Sequence, residues 1–448
     1  MNKHFLSCLG LCLLGFTAQA QWVSQPVGFA ADIAPFYIDA VDANTAWTVG
    51  TGISATYSAP QVARTVNAGQ NWTVTNLPIQ TGADEDFTAL SAISASTAWI
   101  TTFLNNNTGG RILRTTDGGQ TWTVQNSATV YANAKSYPDV IHFFSATDGV
   151  TVGDPLPGTN QMEMYTTADG GLTWTPVAAP PATPLGEYPV NTAPAVVGNH
   201  IWFVTTEGRV FHSPDKGLTW TVATAVPSLS APATVSFRDA QNGLLCTLDD
   251  MRGVNHGLYR TTDGGATWTA VTYAGPLHGA GLSMVPGTSQ YVSTGVDLGN
   301  SDQGSSYSRD NGQTWVALES SFNHIGTEFV SAAVGWSAGL QIKTTSVAGV
   351  VNRYSGTALA TRADAALQAS LTVAPNPALG GRFTLQAART TAGPATVRVL
   401  DVAGRLVQQQ AWASATPLAL DLSREPAGIY VLEVQAASGT ARQKVVVQ

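Results

Sequence analysis

Charged residues are scarce in this 448-residue chain. They make up 11% of the sequence, and the formal net charge of -8 is spread thinly along it. No cluster of Lys and Arg is dense enough to form the basic patch that nucleic-acid binding requires. The same composition, with 44 Gly, suits short strands and tight turns rather than helices or disorder. We therefore expect an all-β protein with no nucleic-acid partner.

Cysteines and long apolar runs are also few. Two of the three cysteines fall within residues 1–20, where a positive start precedes an apolar run and a small-residue site ends at Ala20. These features predict a signal peptide cleaved between Ala20 and Gln21. The run is too short to cross a bilayer as a stable helix. The mature chain would then keep only Cys246, with no internal disulfide and no integral membrane segment.

Motifs for metal or cofactor chemistry are missing from the pattern. The seven histidines are scattered without zinc-ligand spacing. No phosphate-binding loop or nucleophile motif stands out, since the Asp-Gly-Gly strings have the composition of turns. The sequence therefore assigns no metal, no cofactor and no catalytic residue.

What the chain does contain is one short string written six times. Its cleanest copy runs from Thr261 to Trp268, and the Trp residues that end successive copies are 46 to 52 positions apart. A fixed period in this range is typical of propellers and solenoids. Each unit also carries four short apolar stretches separated by turn residues, which favours four-stranded propeller blades.

The chemistry of the string is that of a turn. Its Asp or Asn can accept bonds from nearby backbone N–H groups, its Gly permits a positive φ, and its Trp packs beneath the turn. The string resembles the Asp-box, or bacterial neuraminidase repeat, of sialidases, xyloglucan-cleaving glycoside hydrolases, sortilin-type receptors and photosystem II assembly factors. The whole repeat is most similar to that of the assembly factors. The structural positions are Asn67 and Trp72, Asp117 and Trp122, Asp169 and Trp174, Asp215 and Trp220, Asp263 and Trp268, and Asp310 and Trp315.

A seventh unit follows the six boxed ones but lacks a box. Residues 325–330 and 335–339 read as its first two strands, and Leu340 to Thr345 as its third. Trp22 to Val27 resembles the strand that follows each box and supplies the missing fourth. We therefore predict that residues 21–350 form a seven-bladed β-propeller closed by the N-terminal strand, which leaves no long exposed edge.

The C-terminal part has a different composition. Residues 351–370 read as a linker, and residues 371–448 as a small Ig-like β-sandwich of alternating strands with Gly and Pro turns. The strings around Pro375, Gly404 and Gly428 resemble the type A sorting domain of the type IX secretion system of Bacteroidota. That resemblance implies export to the medium or to the outer-membrane surface of a Gram-negative bacterium, with the secretion machinery as one partner.

Function is harder to derive from the pattern. Sialidases use three arginines to bind the substrate carboxylate, but Arg64, Arg114 and Arg260 share one position of the repeat, which favours a structural role. A glycosidase needs two facing carboxyls. Candidate binding residues lie in loops opposite the boxes, and an Asp297/Asp302 loop could alternatively hold calcium. The candidates are Asp84, Asp86, Asp154, Glu187, Asp249, Arg252 and Asp302.

Two functional classes stay open at this point. The first is a secreted or surface propeller that acts as a binding or scaffold module for an extracellular protein or glycan. The alternative is a secreted glycoside hydrolase, sialidase-like or xyloglucanase-like, that uses loop carboxylates in the propeller funnel. Paired carboxyls in the funnel would favour the hydrolase.

Overall fold

The computed structural model describes residues 21–448, except 54–58, 80–83, 105–108, 126–128, 228, 230–231, 249–255, 298, 300–301, 343–346, 357–364, 389–394, 402–405, 414–415 and 437–438. The predicted signal peptide, Asp249 and Arg252 lie outside these residues. The chain divides into two units, Met1–Leu359 and Ala360–Gln448. Among the described residues, no helix has the length and apolarity needed to cross a membrane.

The six boxed repeats form six antiparallel four-stranded sheets, each built from consecutive strands. The sheets are β2 to β5 (Ile33–Ala40, Ala46–Gly52, Gln61–Thr65, Thr73–Asn76), β6 to β9 (Glu85–Ala92, Ala98–Leu104, Gly110–Thr115, Thr123–Val124), β10 to β13 (Pro138–Phe143, Gly149–Pro155, Met162–Thr167, Thr175–Pro176), β14 to β17 (Ala195–Val197, His200–Val204, Arg209–Ser213, Thr221–Thr224), β18 to β21 (Ala233–Phe237, Gly243–Thr247, Leu258–Thr261, Thr269–Ala270) and β22 to β25 (Gly281–Met284, Tyr291–Gly295, Gly304–Ser308, Val316–Glu319).

A seventh four-stranded sheet joins the two ends of the first unit. It consists of β26 (Gly326–Ser331), β27 (Val334–Ile342), β28 (Val347–Tyr354) and β1 (Trp22–Pro26). The N-terminal β1 pairs antiparallel with β28 over its full length. The predicted third strand, residues 340–345, was wrong. The second strand runs on to Ile342 because its pairing with β28 continues to that residue.

Apolar packing connects each sheet with its neighbours along the chain and the seventh sheet with the first. Alternate strand positions point into the spaces between sheets, where they form a series of buried clusters. The cluster that closes the series brings Ile38 and Ala63 of the first sheet against Trp336 and Val351 of the seventh. Cys246 is buried in one of these clusters.

The second unit contains a three-stranded and a four-stranded sheet. The first has the order β29, β30, β33 (Leu371–Ala374, Arg382–Ala387, Leu418–Asp421), and the second the order β32, β31, β34, β35 (Leu406–Trp412, Ala395–Leu400, Gly428–Ala436, Gly439–Val447). Both enclose one buried apolar cluster, which includes Trp412 and Leu432. The predicted linker 351–370 is shorter than expected, because 351–354 complete β28 and helix α1 (Ala365–Ser370) contributes Leu367 to this cluster.

The all-β class and the sheets of four antiparallel strands are thus confirmed.

Candidate functional site

The box turns use their polar atoms internally. In the cleanest copy, Asp263 Oδ1 accepts hydrogen bonds from the Thr261 hydroxyl (2.7 Å) and the Thr267 N–H (2.9 Å), and the Thr261 hydroxyl oxygen accepts the Gly265 N–H. Gly264 and Gly265 both have positive φ, which glycine adopts without strain. Hydrogen bonds from Thr121 hold the pKa of the equivalent Asp117 down at about 2. Asn67 makes the same bond to Thr65.

The boxes also contact the neighbouring sheet. The Trp99 and Trp202 indole N–H groups donate to the carbonyls of Gly170 and Gly264, each in the box of the following sheet. The third strand of four sheets carries an arginine at the same position, opposite the second strand. These arginines are Arg353 and the three considered for a sialidase site, Arg64, Arg114 and Arg260. The guanidinium of Arg64 lies 5.6 Å from the Trp47 ring centre, and that of Arg114 lies 5.2 Å from Trp99. These cation–π contacts keep both side chains within the packing between sheets.

The candidate loop residues do not form a single site. Glu187 is fully buried and forms an ion pair with Arg209, while Thr205 donates to the same carboxylate. Glu85, Arg111 and Thr102 make the same arrangement two sheets earlier. Glu187 is therefore unavailable to a large ligand.

Burial raises the pKa of Tyr137, and the carboxyls of Asp139, Asp154 and Asp86 raise it further, so both candidates lie near this side chain. A third carboxyl, Asp139, completes the group and is only 3% exposed. Asp139 Oδ2 and Asp154 Oδ1 lack other partners, and the two carboxyls hydrogen-bond to each other. Burial together with the neighbouring Asp154 raises the pKa of Asp139, and burial raises that of Asp154 to about 6, so both carboxyls hold a proton more readily than free aspartates do.

The remaining candidates lie elsewhere. Asp84 is exposed. Asp302 is buried between two histidines, with His278 Nδ1 at 2.9 Å and His256 Nε2 at 3.3 Å from its carboxyl oxygens. Among the described residues, no three His, Cys, Asp or Glu side chains are grouped so that they could hold a metal ion. The alternative of calcium at Asp297 and Asp302 has no support from this geometry.

One buried group has the composition of a hydrolytic triad. His324 Nδ1 lies 2.6 Å from the Ser337 hydroxyl, and its Nε2 lies 3.2 Å from Glu319. Ser337 and His324 have no exposed surface, and the Trp22 ring centre lies 4.7 Å from that of His324. A substrate cannot reach this serine. The hydrogen bonds of the group instead connect Glu319 of the sixth sheet with Ser337 of the seventh.

One cavity of the first unit is lined by the first strand, or the segment beside it, of all seven sheets. Its volume is about 450 Å³. Each sheet contributes lining residues, among them Ile38, Leu90, Ile141, Val196 and Val235, and the sixth and seventh sheets contribute Leu282 and Phe329. The candidate residues that the structure describes do not line it; they are Asp84, Asp86, Asp154, Glu187 and Asp302.

A row of side chains at one strand position links neighbouring sheets around the cavity. Glu328 Oε2 accepts the Ala40 N–H (2.7 Å), and Asp39 Oδ2 accepts the Ala92 N–H (2.8 Å). Serines do the same further round, as Ser91 accepts the N–H of Phe143 at 2.9 Å. Ser236 and Ser283 continue the row with bonds from the N–H groups of Met284 and Phe329.

Asp39 and Glu328 are the carboxyl groups that line the cavity, and neither was a candidate from the sequence. Burial raises the pKa of Asp39 to about 7. Burial and the nearby Asp39 raise that of Glu328 to about 8. Burial lowers the pKa of His142, on the same lining, to about 4. No Lys or Arg occurs among the described lining residues, so the cavity wall carries a proton-holding acid pair without a countercharge.

Two solved YCF48 structures support the fold class of the first unit. YCF48 bound to a D1 peptide is 16% identical, with a TM-score of 0.52, over 75% of this chain and 97% of that chain. YCF48 from Cyanidioschyzon merolae is 17% identical, with a TM-score of 0.50, over 74% and 98%. A GH74 xyloglucanase from Xanthomonas campestris is 12% identical, with a TM-score of 0.47, over 94% and 74%. The first unit thus has a β-propeller fold.

The second unit is matched by sequence. Residues 372–448 match the secretion system C-terminal sorting domain family. This domain directs export by the type IX secretion system, which confirms the resemblance stated from the sequence. No curated protein sequence matches the chain.

Proposed function

We propose that this protein is a secreted, seven-bladed β-propeller that binds an extracellular ligand, a protein or a glycan, in its central cavity. The observation that carries the proposal is the cavity of about 450 Å³, to which the first strand or adjoining segment of every sheet contributes. A concave site enclosed by several elements, with few polar groups among many apolar ones, is the usual form of a binding pocket.

Each of the seven sheets then corresponds to one blade. The apolar clusters that join successive sheets, and the last with the first, support a closed ring. So does the hydrogen bond from the Ala40 N–H to Glu328, which joins the first and last blades. Export begins with a signal peptide at residues 1–20 and is completed by the sorting domain, an Ig-like sandwich that is characteristic of Bacteroidota.

An aromatic side chain at the cavity provides the test of binding. Phe36 lines the cavity and is 40% exposed, at the irregular pairing of β2 between Pro35 and Tyr37. Exposed aromatic rings supply flat apolar surface to sugars and side chains at binding sites. Tyr188 is similarly exposed, at 48%, but does not line the cavity, so Tyr188→Ala is a matched control.

The experiment screens the mature full-length protein on glycan and peptide arrays and measures the affinity of each hit by calorimetry. Phe36→Ala should weaken binding by about tenfold, the usual effect of losing a contact worth ~1.4 kcal/mol, while Tyr188→Ala should leave the affinity unchanged. If Phe36→Ala binds the hits as tightly as Tyr188→Ala does, the ligand lies outside the cavity and the proposal is refuted.

A second candidate function is hydrolysis of an extracellular polysaccharide. The specific observation in its favour is the pair of cavity carboxyls, Asp39 and Glu328, since a raised pKa suits a general acid in glycoside hydrolysis. The test is turnover of a panel of chromogenic glycosides and polysaccharides. Turnover that Glu328→Gln abolishes would establish the hydrolase, and the absence of turnover by the intact protein would leave binding as the function.

A further inference from the structure

The central cavity has a charge pattern that restricts its ligands. Its titratable lining groups are Tyr37, Asp39, His142 and Glu328, and no Lys or Arg accompanies them among the described lining residues. A carboxylate-bearing ligand such as sialic acid would meet two acids and no cation, whereas carboxylate recognition relies on arginine. The cavity therefore disfavours anions.

The two acids are held in fixed positions next to each other. Glu328 accepts the N–H of Ala40, the residue beside Asp39, and Asp39 accepts the N–H of Ala92 on the next blade. Each bond occupies one carboxyl oxygen and fixes the side chain without neutralising it. Because the acids come from adjacent blades, a single small group in the cavity could contact both.

Apart from the four titratable groups, the described side chains of the cavity wall are uncharged. The apolar ones include Leu90, Ile141 and Leu282, which suit an alkyl chain.

Resting on the proposed function, we propose that the cavity binds a primary ammonium group at the end of an alkyl chain, and that its partner is a lysine side chain of an extracellular protein. The ammonium donates to the free oxygens of Asp39 and Glu328, and the methylene stem packs against the uncharged wall. Lysine commonly places its head and stem in such mixed surroundings. An amino sugar has the same head group but a ring rich in hydroxyls in place of the apolar stem.

The ammonium takes the place of the proton that the acid pair holds near neutral pH. Both carboxyls have raised pKa values because of burial, and a cation beside them restores the charged form. Binding should therefore release protons to the buffer. The heat of binding should differ between phosphate and Tris buffers at pH 7, since these buffers take up a proton with different enthalpies.

The test uses the mature full-length protein and Nα-acetyl-lysine methylamide as the probe, titrated by calorimetry and by NMR. The side-chain-acetylated form of the same compound keeps the stem and removes the charge. Glu328→Gln and Asp39→Asn keep an oxygen for the backbone N–H and remove the acid. Asp84→Asn, at an exposed carboxyl outside the cavity, is the matched control.

We expect the lysine probe to bind and its acetylated form not to bind. Each cavity variant should lose about tenfold to a hundredfold in affinity, the size of a charge-assisted hydrogen bond, and Asp84→Asn should lose nothing. Equal binding of the acetylated probe, preference for glucosamine, or affinity unchanged in Glu328→Gln would overturn the lysine proposal. Array hits sensitive to Phe36→Ala would in those cases leave the cavity as a binding site. A lack of any ligand in the cavity would overturn both proposals.

Discussion

Removal of the Trp22 side chain should destabilise the seventh sheet, to which β1 belongs. Trp22 is fully buried, its indole N–H donates to the Ser305 hydroxyl at 2.9 Å, and its ring contacts those of Phe329 and Tyr354 at centre distances of 5.8 and 5.4 Å. Trp→Ala at a buried site costs ~3–5 kcal/mol. Trp22→Phe keeps most ring packing and loses the hydrogen bond, for ~1 kcal/mol. We expect these losses in the free energy of unfolding of the propeller.

The assay is urea unfolding followed by fluorescence, combined with hydrogen exchange read by mass spectrometry. Trp22→Ala should remove exchange protection from β28 as well as from β1, because these strands pair with each other. Trp72→Ala is the matched control, since Trp72 occupies the equivalent place in the first sheet but is only partly buried. If Trp22→Ala costs no more than Trp72→Ala and β28 stays protected, Trp22 does not hold β1 in the seventh sheet.

Three further predictions concern acids. Asp39 and Glu328 have raised pKa values, so the native state binds more protons than the unfolded chain, and stability should fall as pH rises from about 4 through 7 to 8. Thermal melts at pH 5.5 and 8.5 should show this fall in stability. Each unit of pKa shift corresponds to ~1.4 kcal/mol, so Glu328→Gln should make the fall smaller by at least ~1 kcal/mol. If the melts of wild type and variant change equally with pH, the acid pair is not the cause. Asp263→Asn should be nearly neutral in chemical unfolding, while Asp263→Ala should cost ~1–2 kcal/mol because the turn N–H groups lose their acceptor; equal costs would contradict the turn geometry. Glu187→Ala should cost ~3–5 kcal/mol by leaving Arg209 unpaired without weakening any cavity ligand, and a selective loss of binding would instead return Glu187 to the candidate site.

The repeat predicted most of the strand order. Its Trp spacing located the six boxed sheets, and the likeness of Trp22 to the strand after each box identified the strand that pairs with β28. The third strand of the last sheet was misplaced, because no box marks the end of that repeat. Without that marker, the length of β27 depends on its pairing with β28.

The cavity acids could not be identified from local pattern alone. Asp39 and Glu328 lie within strands rather than in loops, and Ala40 and Glu328 are 288 positions apart in the sequence. They meet because the last sheet lies beside the first. One signal was available, however. Asp39 pairs with Trp47 and Glu328 with Trp336, so both occupy the same place in their repeats, where Ser91 stands opposite Trp99. Aligning the first strands would have placed both acids in one row.

The pairing of β1 with β28 has a consequence for the order of events during synthesis. The strand made first waits for a partner made more than three hundred residues later, and such distant contacts make folding slow. The sorting domain, residues 372–448, comes after that partner strand in the sequence. A chain that stops before β28 therefore lacks both the strand that pairs with β1 and the domain that directs export. Synthesis beyond this point supplies the partner that β1 needs and, soon afterwards, the export domain.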